Sequence, residues 1–133
     1  IISPSFTTPK FIIIVLMLSI NCFAIHDVKM PTLVFVGKRI VNLGVVKEGE
    51  IIKQKFFFTN TGNSPLIIKD ITKSCNCTAV VLKEPRTLPR DTNCMSITVD
   101  TKGKVGINVI DIVLNTNTQY KEHVAKLIVE VEK

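Results

Sequence analysis

The sequence predicts an all-β domain of about seven or eight short strands, folded as two antiparallel sheets packed face to face behind an N-terminal hydrophobic leader. Three observations carry that expectation. Apolar residues alternate with polar ones at a period of two along most of the chain, clusters of Gly, Pro, Asn and Ser punctuate the alternation, and no segment repeats its apolar residues at helical spacing. A strand with one oily side must bury it, and in the absence of helices a second sheet is what can cover it. The chain has 133 residues, room for one ordinary domain, and its 46% hydrophobic against 21% charged residues exclude a disordered polymer.

The leader comes first. After Lys10, Phe11 to Ile20 is an unbroken apolar run that ends near Asn21, Cys22, Phe23 and Ala24, the length of a signal-peptide core and short for a bilayer span. A membrane helix continuing to Ile25 is the alternative. Two processing routes fit. Cleavage after Ala24 gives a soluble product, whereas lipidation of Cys22, in a Leu18-Ser19-Ile20-Asn21-Cys22 stretch like a lipoprotein box, gives an anchored one. Asn21 stands where such a box has a small residue. Residues 1–25 are thus read as leader and 26–133 as the folded domain.

Strands follow in order. Short ones are predicted at Leu33 to Val36 and Ile40 to Leu43. Next, Ile52, Phe56 and Phe58 share one face, with Lys53 and Lys55 on the other. Asn60, Thr61, Gly62, Asn63, Ser64 and Pro65 form a dense turn, in which Asn60 and Gly62 are read as turn formers open to positive φ and Pro65 as the start of the next strand. There, Leu66 and Ile68 alternate with Ile67 and Lys69; Ile71 breaks the phase, which predicts a bulge near Asp70. Thr78 to Leu82 is another short strand. Lys83 to Asn93, with Pro85 and Pro89, is a connection. Three longer strands close the series, with inward sets Met95, Ile97 and Val99, then Ile110, Ile112 and Leu114, then Leu127, Val129 and Val131. Gly103 and Gly106 mark the turn between the first two of these.

Charge excludes some partners. The net charge is +6, but its lysines are scattered as on a solvated outer face, and aromatic residues are only 6% with no Trp. That leaves no stacking platform for single-stranded nucleic acid, and nucleic acid is not expected as a partner. Contact with a membrane is expected only through the leader or a lipid anchor.

These residues also carry a resemblance. Leu43-Gly44 through Glu48-Gly49-Glu50, the FFFTNTG run around Phe56 and Phe58, Pro65-Leu66, Ser74-Cys75-Asn76-Cys77-Thr78, Asp100 to Gly106 and Asn117 together resemble a bacterial exported family of unknown function. The likeness spans about Val41 to Val131. It implies an immunoglobulin-like sandwich akin to Hydin and major-sperm-protein domains, and export to the periplasm, the outer membrane or the medium. Two positions depart from the pattern: Asn76 and Asp91 stand where the family usually has Gly.

The cysteines invite chemistry. Cys75 and Cys77 lie two apart, so in an extended strand they point the same way with α-carbons about 6.5 Å apart, and a direct bond needs a tight turn. A bond so made is read as a reducible redox pair. In the second reading, Cys75 and Cys77 hold a soft metal, copper or zinc, with Cys94 as third ligand. In the third, Cys75 or Cys77 pairs with Cys94 as an ordinary staple, or these residues are small buried hydrophobes. With Cys22 removed or lipidated, three thiols remain and one stays unpaired. No catalytic grouping is expected: His26 and His123 have no triad partners in any known motif order, and Asp70, Asp100 and Asp111 are isolated. The sequence therefore predicts a non-enzymatic binding or structural module of the bacterial envelope, without a cofactor and with an unidentified protein or envelope partner. A thiol-based redox or soft-metal protein using Cys75 and Cys77 is the rival.

Overall fold

Strand-forming alternation resolves into nine strands in the computed structural model, which describes residues 28–133. The predicted leader, its hydrophobic helix, Cys22 and His26 lie outside the described residues. The strands are β1 (Leu33–Val36), β2 (Ile40–Lys47), β3 (Ile51–Asn60), β4 (Leu66–Lys73), β5 (Thr78–Leu82), β6 (Arg86–Thr87), β7 (Thr92–Asp100), β8 (Gly106–Thr116) and β9 (Glu122–Glu132). They form a four-stranded sheet, β1-β3-β7-β5, and a five-stranded sheet, β2-β9-β8-β4-β6.

The two sheets share one core. Phe56, Phe58, Met95, Ile97 and Val99 from the first meet Leu66, Ile68, Ile110, Ile112, Leu114 and Leu127 from the second in a single buried cluster. Each such side chain removed from water contributes about 1.5–3 kcal/mol, so the period-two residues supply the main cohesive force.

Two features differ from the sequence-based expectation. First, β2 runs parallel to β9, with Ile40 beside Lys126 and Lys47 beside Glu132, where an all-antiparallel sandwich was predicted. After β1 the chain crosses from one sheet to the other through Gly37, at φ +83, so β2 reaches the edge of the second sheet already pointing along β9. Second, the Lys83 to Asn93 connection contains the two-residue β6, which pairs with Leu66 and Ile67 and brings the total to nine. The register between β4 and β8 shifts between Ile68 and Asp70, where the broken phase predicted it. An unpredicted shift between Asn42 and Val45 places Gly44 at φ +76, its N–H donating to Asn42 Oδ1 at 2.9 Å.

Buried polar side chains tie the connections to this frame. Asn60 is fully buried at the end of β3, where it acts as a clamp on distant segments as well as on the turn it opens. Its Oδ1 accepts from the N–H groups of Thr32 and Gly62 at 3.1 and 3.0 Å, and its Nδ2 donates to the carbonyls of Ser64 and Thr87 at 2.7 and 3.1 Å. Gly62 has no positive φ; a Cβ there would overlap the Met30 carbonyl oxygen and stand 2.8 Å from Pro31 Cα. Close approach, not left-handed backbone, therefore explains this glycine. Thr101 does for the opposite end what Asn60 does for this one: its Oγ1 donates to the Glu50 carbonyl at 2.7 Å and accepts from the Gly49 N–H at 2.9 Å. Asn117 Oδ1 accepts from the Ile67 N–H at 2.8 Å while its Nδ2 donates to the Pro65 carbonyl at 3.0 Å. Gly103 and Gly106 adopt φ of +74 and +114 in the β7 to β8 turn.

Candidate functional site

Among the residues singled out in the sequence, Cys75 and Cys77 are the pair whose side chains act on each other rather than on the frame. They occupy the short connection that leaves β4 in the five-stranded sheet and enters β5 in the four-stranded one. Such a crossing has to turn sharply, and backbone bonds to both sheets hold the turn. The Ser74 N–H donates to the Asp111 carbonyl at 3.0 Å and Ser74 Oγ accepts from the Asp111 N–H at 2.9 Å, which fixes the start to β8. The Thr78 N–H donates to the Cys75 carbonyl at 3.2 Å, closing the turn, and the Asp100 N–H donates to the Cys77 carbonyl at 2.9 Å, fixing its end to β7.

This folding draws the Cys75 and Cys77 α-carbons to 5.2 Å, and the two sulfurs form a disulfide. Both residues are half-buried, packed on one side against the core, while Asn76 between them is exposed. Asn76 is not in the left-handed region; among the described residues the non-glycine residues that are, Arg90 and Lys121, lie elsewhere. The Cys77 N–H donates to Cys75 Sγ at 3.2 Å, and Cys77 Sγ lies 3.6 Å from Thr78 Oγ1. The Lys73 ammonium donates to the Thr78 carbonyl, which places a positive charge beside the loop. Lys73 was not singled out from sequence and Ser74 entered only as part of the Ser74-Cys75-Asn76-Cys77-Thr78 run, since nothing in a strand-end Lys-Ser pair announces what the backbone does next.

As a staple this bond is weak. A cross-link between residues two apart removes little freedom from the unfolded chain, about 1.5 kcal/mol against about 3 for a loop of fifteen residues.

Cys94 is elsewhere. It sits on β7 opposite Phe57, at half-buried depth, with its carbonyl accepting from the Lys83 N–H at 3.0 Å. Val99, five residues on, is the one that pairs with Thr78, so extended β7 separates Cys94 from the Cys75–Cys77 loop by about 17 Å. Its side chain also faces the opposite side of the sheet from Met95 and Val99. The staple to Cys94 and the three-thiol copper or zinc set expected from sequence are therefore not assembled. Among the described residues no three His, Cys, Asp or Glu side chains gather as a metal site.

A second feature lies at the far end, where a cavity of about 190 Å³ is lined by Met30, Leu33, Thr118, Tyr120 and His123 among others. His123 Nε2 is 2.8 Å from Thr118 Oγ1, and burial lowers the His123 pKa below 6.5. The half-buried imidazole there is a hydrogen-bonding partner of the Thr118 hydroxyl, a structural role.

The comparisons agree with this architecture. A family model described as a protein of unknown function, DUF1573, matches residues 34–131. No curated protein matches the chain. Among solved structures, a protein of unknown function from Porphyromonas gingivalis W83 is similar over 77% of this chain and 47% of its own length, with 19% identity and a TM-score of 0.69. The secreted serine protease VesC of Vibrio cholerae shares 14% identity over 74% of this chain and 23% of its own, with a TM-score of 0.57. A Bacteroides ovatus GH5 xyloglucanase shares 10% identity over 77% of this chain and 19% of its own, with a TM-score of 0.52. The chain thus spans about half or less of each of these proteins, and at such identities the likeness concerns the fold alone.

Proposed function

We propose that this chain, which belongs to the DUF1573 family of proteins of unknown function, is an exported, non-enzymatic, immunoglobulin-like module that docks a partner protein in the bacterial envelope. The observation that carries the proposal is an apolar strip on the outer face of the five-stranded sheet. There Val45 on β2 and Ile107 and Val109 on β8 are 57%, 75% and 51% exposed, with β9 between the two strands. Register puts Val109 across from Ile128 and Ile107 across from Glu130, so Ile107, Val109 and Ile128 are contiguous, and Val45 stands on the far side of Glu130. Aliphatic side chains grouped on an outer sheet face, with Asn42 beside Ile128 and Glu130 between Ile107 and Val45, are the kind of surface that a protein partner covers. Export is supported by the apolar run Phe11 to Ile20. The modular role is supported by the small share that this fold takes of larger proteins, a secreted protease among them.

Placing a photo-activated cross-linking residue at position 107 in the producing bacterium tests the reading, with position 55 on the other sheet as control. A discrete cross-linked protein in the envelope fraction from position 107 alone, lost when Val109→Asp is added, is the expected result. Equal labelling from both positions, or recovery of the chain in the cytosol, would refute it. Val109→Asp itself should shift stability by no more than about 0.5 kcal/mol, because the residue is already half in water.

A further inference from the structure

We infer that the Cys75–Cys77 pair is a two-electron thiol–disulfide exchange centre, with Cys77 the sulfur attacked by the incoming thiolate and Cys75 the sulfur that leaves. The inference is independent of the docking face. It rests on four features of the loop.

First, the cross-link is redundant to the architecture. The turn it spans is already closed by the Thr78 to Cys75 backbone bond and tied to both sheets through Ser74, Asp111 and Asp100. Opening the disulfide therefore leaves the frame held, as a centre that cycles requires. Second, the pair is approachable: both residues are half-exposed and Asn76 at the tip is exposed. Third, Cys94 lies at the other end of β7, so an opened pair has no third thiol among the described residues with which to scramble. Fourth, the two sulfurs differ. Cys75 Sγ accepts the Cys77 N–H at 3.2 Å, and a hydrogen bond to sulfur favours its thiolate and makes it the better leaving group. Cys77 Sγ has only the Thr78 hydroxyl, at 3.6 Å. The Lys73 charge on the Thr78 carbonyl favours anionic sulfur in the loop as a whole.

The reaction runs as follows. A thiolate of a donor dithiol attacks Cys77 Sγ, forming a mixed disulfide; the Cys75–Cys77 bond breaks and its electron pair leaves on Cys75 Sγ, which then takes a proton from water. The donor's second thiolate attacks its own sulfur in the mixed disulfide and expels Cys77 as thiolate, which is protonated in turn. The donor departs as a disulfide, two electrons and two protons having passed to the pair, and an oxidised partner runs the sequence backwards. Two molecules of glutathione replace the dithiol in the test below.

Trypsin releases residues 74–83 as one peptide bounded by Lys73 and Lys83, which contains Cys75 and Cys77 but not Cys94. The full chain is equilibrated in graded mixtures of reduced and oxidised glutathione, trapped with an alkylating agent and mapped by mass spectrometry, with circular dichroism recorded in parallel. The expected result is a reversible conversion of this peptide between no alkyl group and two, while the β signal stays unchanged. In the reduced chain at mildly acidic pH, Cys75 should alkylate faster than Cys77, because the Cys77 N–H favours the Cys75 thiolate. Reduced Cys75→Ser should accumulate a stable glutathione adduct on Cys77. A pair that stays oxidised in every mixture until the chain is denatured would show a structural staple and overturn the proposal. So would a dithiol isolated with stoichiometric copper or zinc that oxidised glutathione cannot close. Faster alkylation of Cys77 than of Cys75 would overturn the assignment of the leaving sulfur.

Discussion

A single amide does much of the joining at one end of this sandwich. Asn60 satisfies two backbone donors and two backbone acceptors from four separate positions, Thr32, Gly62, Ser64 and Thr87, at a site closed to water. Replacing it removes those bonds and strands several buried partners, each worth about 1–3 kcal/mol when left unpaired. Asn60→Ala should therefore lower unfolding free energy by about 3 kcal/mol or more in urea titration, and Asn60→Asp should come close to it, because a carboxylate cannot donate to the Ser64 and Thr87 carbonyls. The sequence marked this residue, but as a turn former. An Asn in an Asn-Thr-Gly run reads as local turn chemistry, and only the approach of distant β1 and β6 makes it a hub. The same limit applies at Gly62, whose necessity comes from the Met30 to Thr32 backbone lying against it. Cys75 and Cys77 were legible as a pair because their relation is local; the remoteness of Cys94 was not, since it depends on which strand lies beside β5.

At the scale of elements, the final strand carries a pH dependence. Burial pushes the His123 pKa below its ordinary value of 6.5 as β9 begins, so the folded chain binds this proton less readily than the unfolded one. Stability from this site is thus fully present above pH 6.5, and it is lost as pH falls from there through the lower folded value. The urea midpoint should drop between pH 7.5 and 5.5, and His123→Gln, which keeps a polar group near Thr118 Oγ1 without a titrating ring, should flatten that part of the drop. An equal decline in both proteins would assign the dependence to other groups. The sequence showed only that His123 lacks triad partners, and nothing local in it announces a half-buried ring. His123 shares a cavity lining with Met30 and Leu33, residues far from it in the chain, a relation that only the fold creates.

For the whole molecule, period-two alternation was enough to give two sheets and nearly all their inward residues, because which side chains face a core is a local property of a strand. Pairing order and direction are not local. Ile40 to Lys47 has apolar residues on both faces, so its pattern fits a parallel or an antiparallel neighbour equally; the crossing at Gly37 decided for the parallel pairing with β9. That choice places at one edge of the five-stranded sheet a strand bonded on one side only and interrupted between Asn42 and Val45. At the other edge stands β6, two residues long. Interior strands β3, β7, β8 and β9 have neighbours on both sides and contribute most of the buried cluster. Native-state hydrogen exchange should therefore divide along these lines: paired amides of β3, β7, β8 and β9 should exchange only through global unfolding, with a denaturant dependence equal to that of equilibrium unfolding, while those of β2 and β6 should open at lower free energy with little denaturant dependence. Uniform protection across β2 and β9 would show instead that the parallel pair opens only with the sandwich as a whole. Since Val45 of the exposed strip rides on β2, a divided pattern would also mean that part of the docking face belongs to the least protected edge, so that covering it by a partner should slow β2 exchange first.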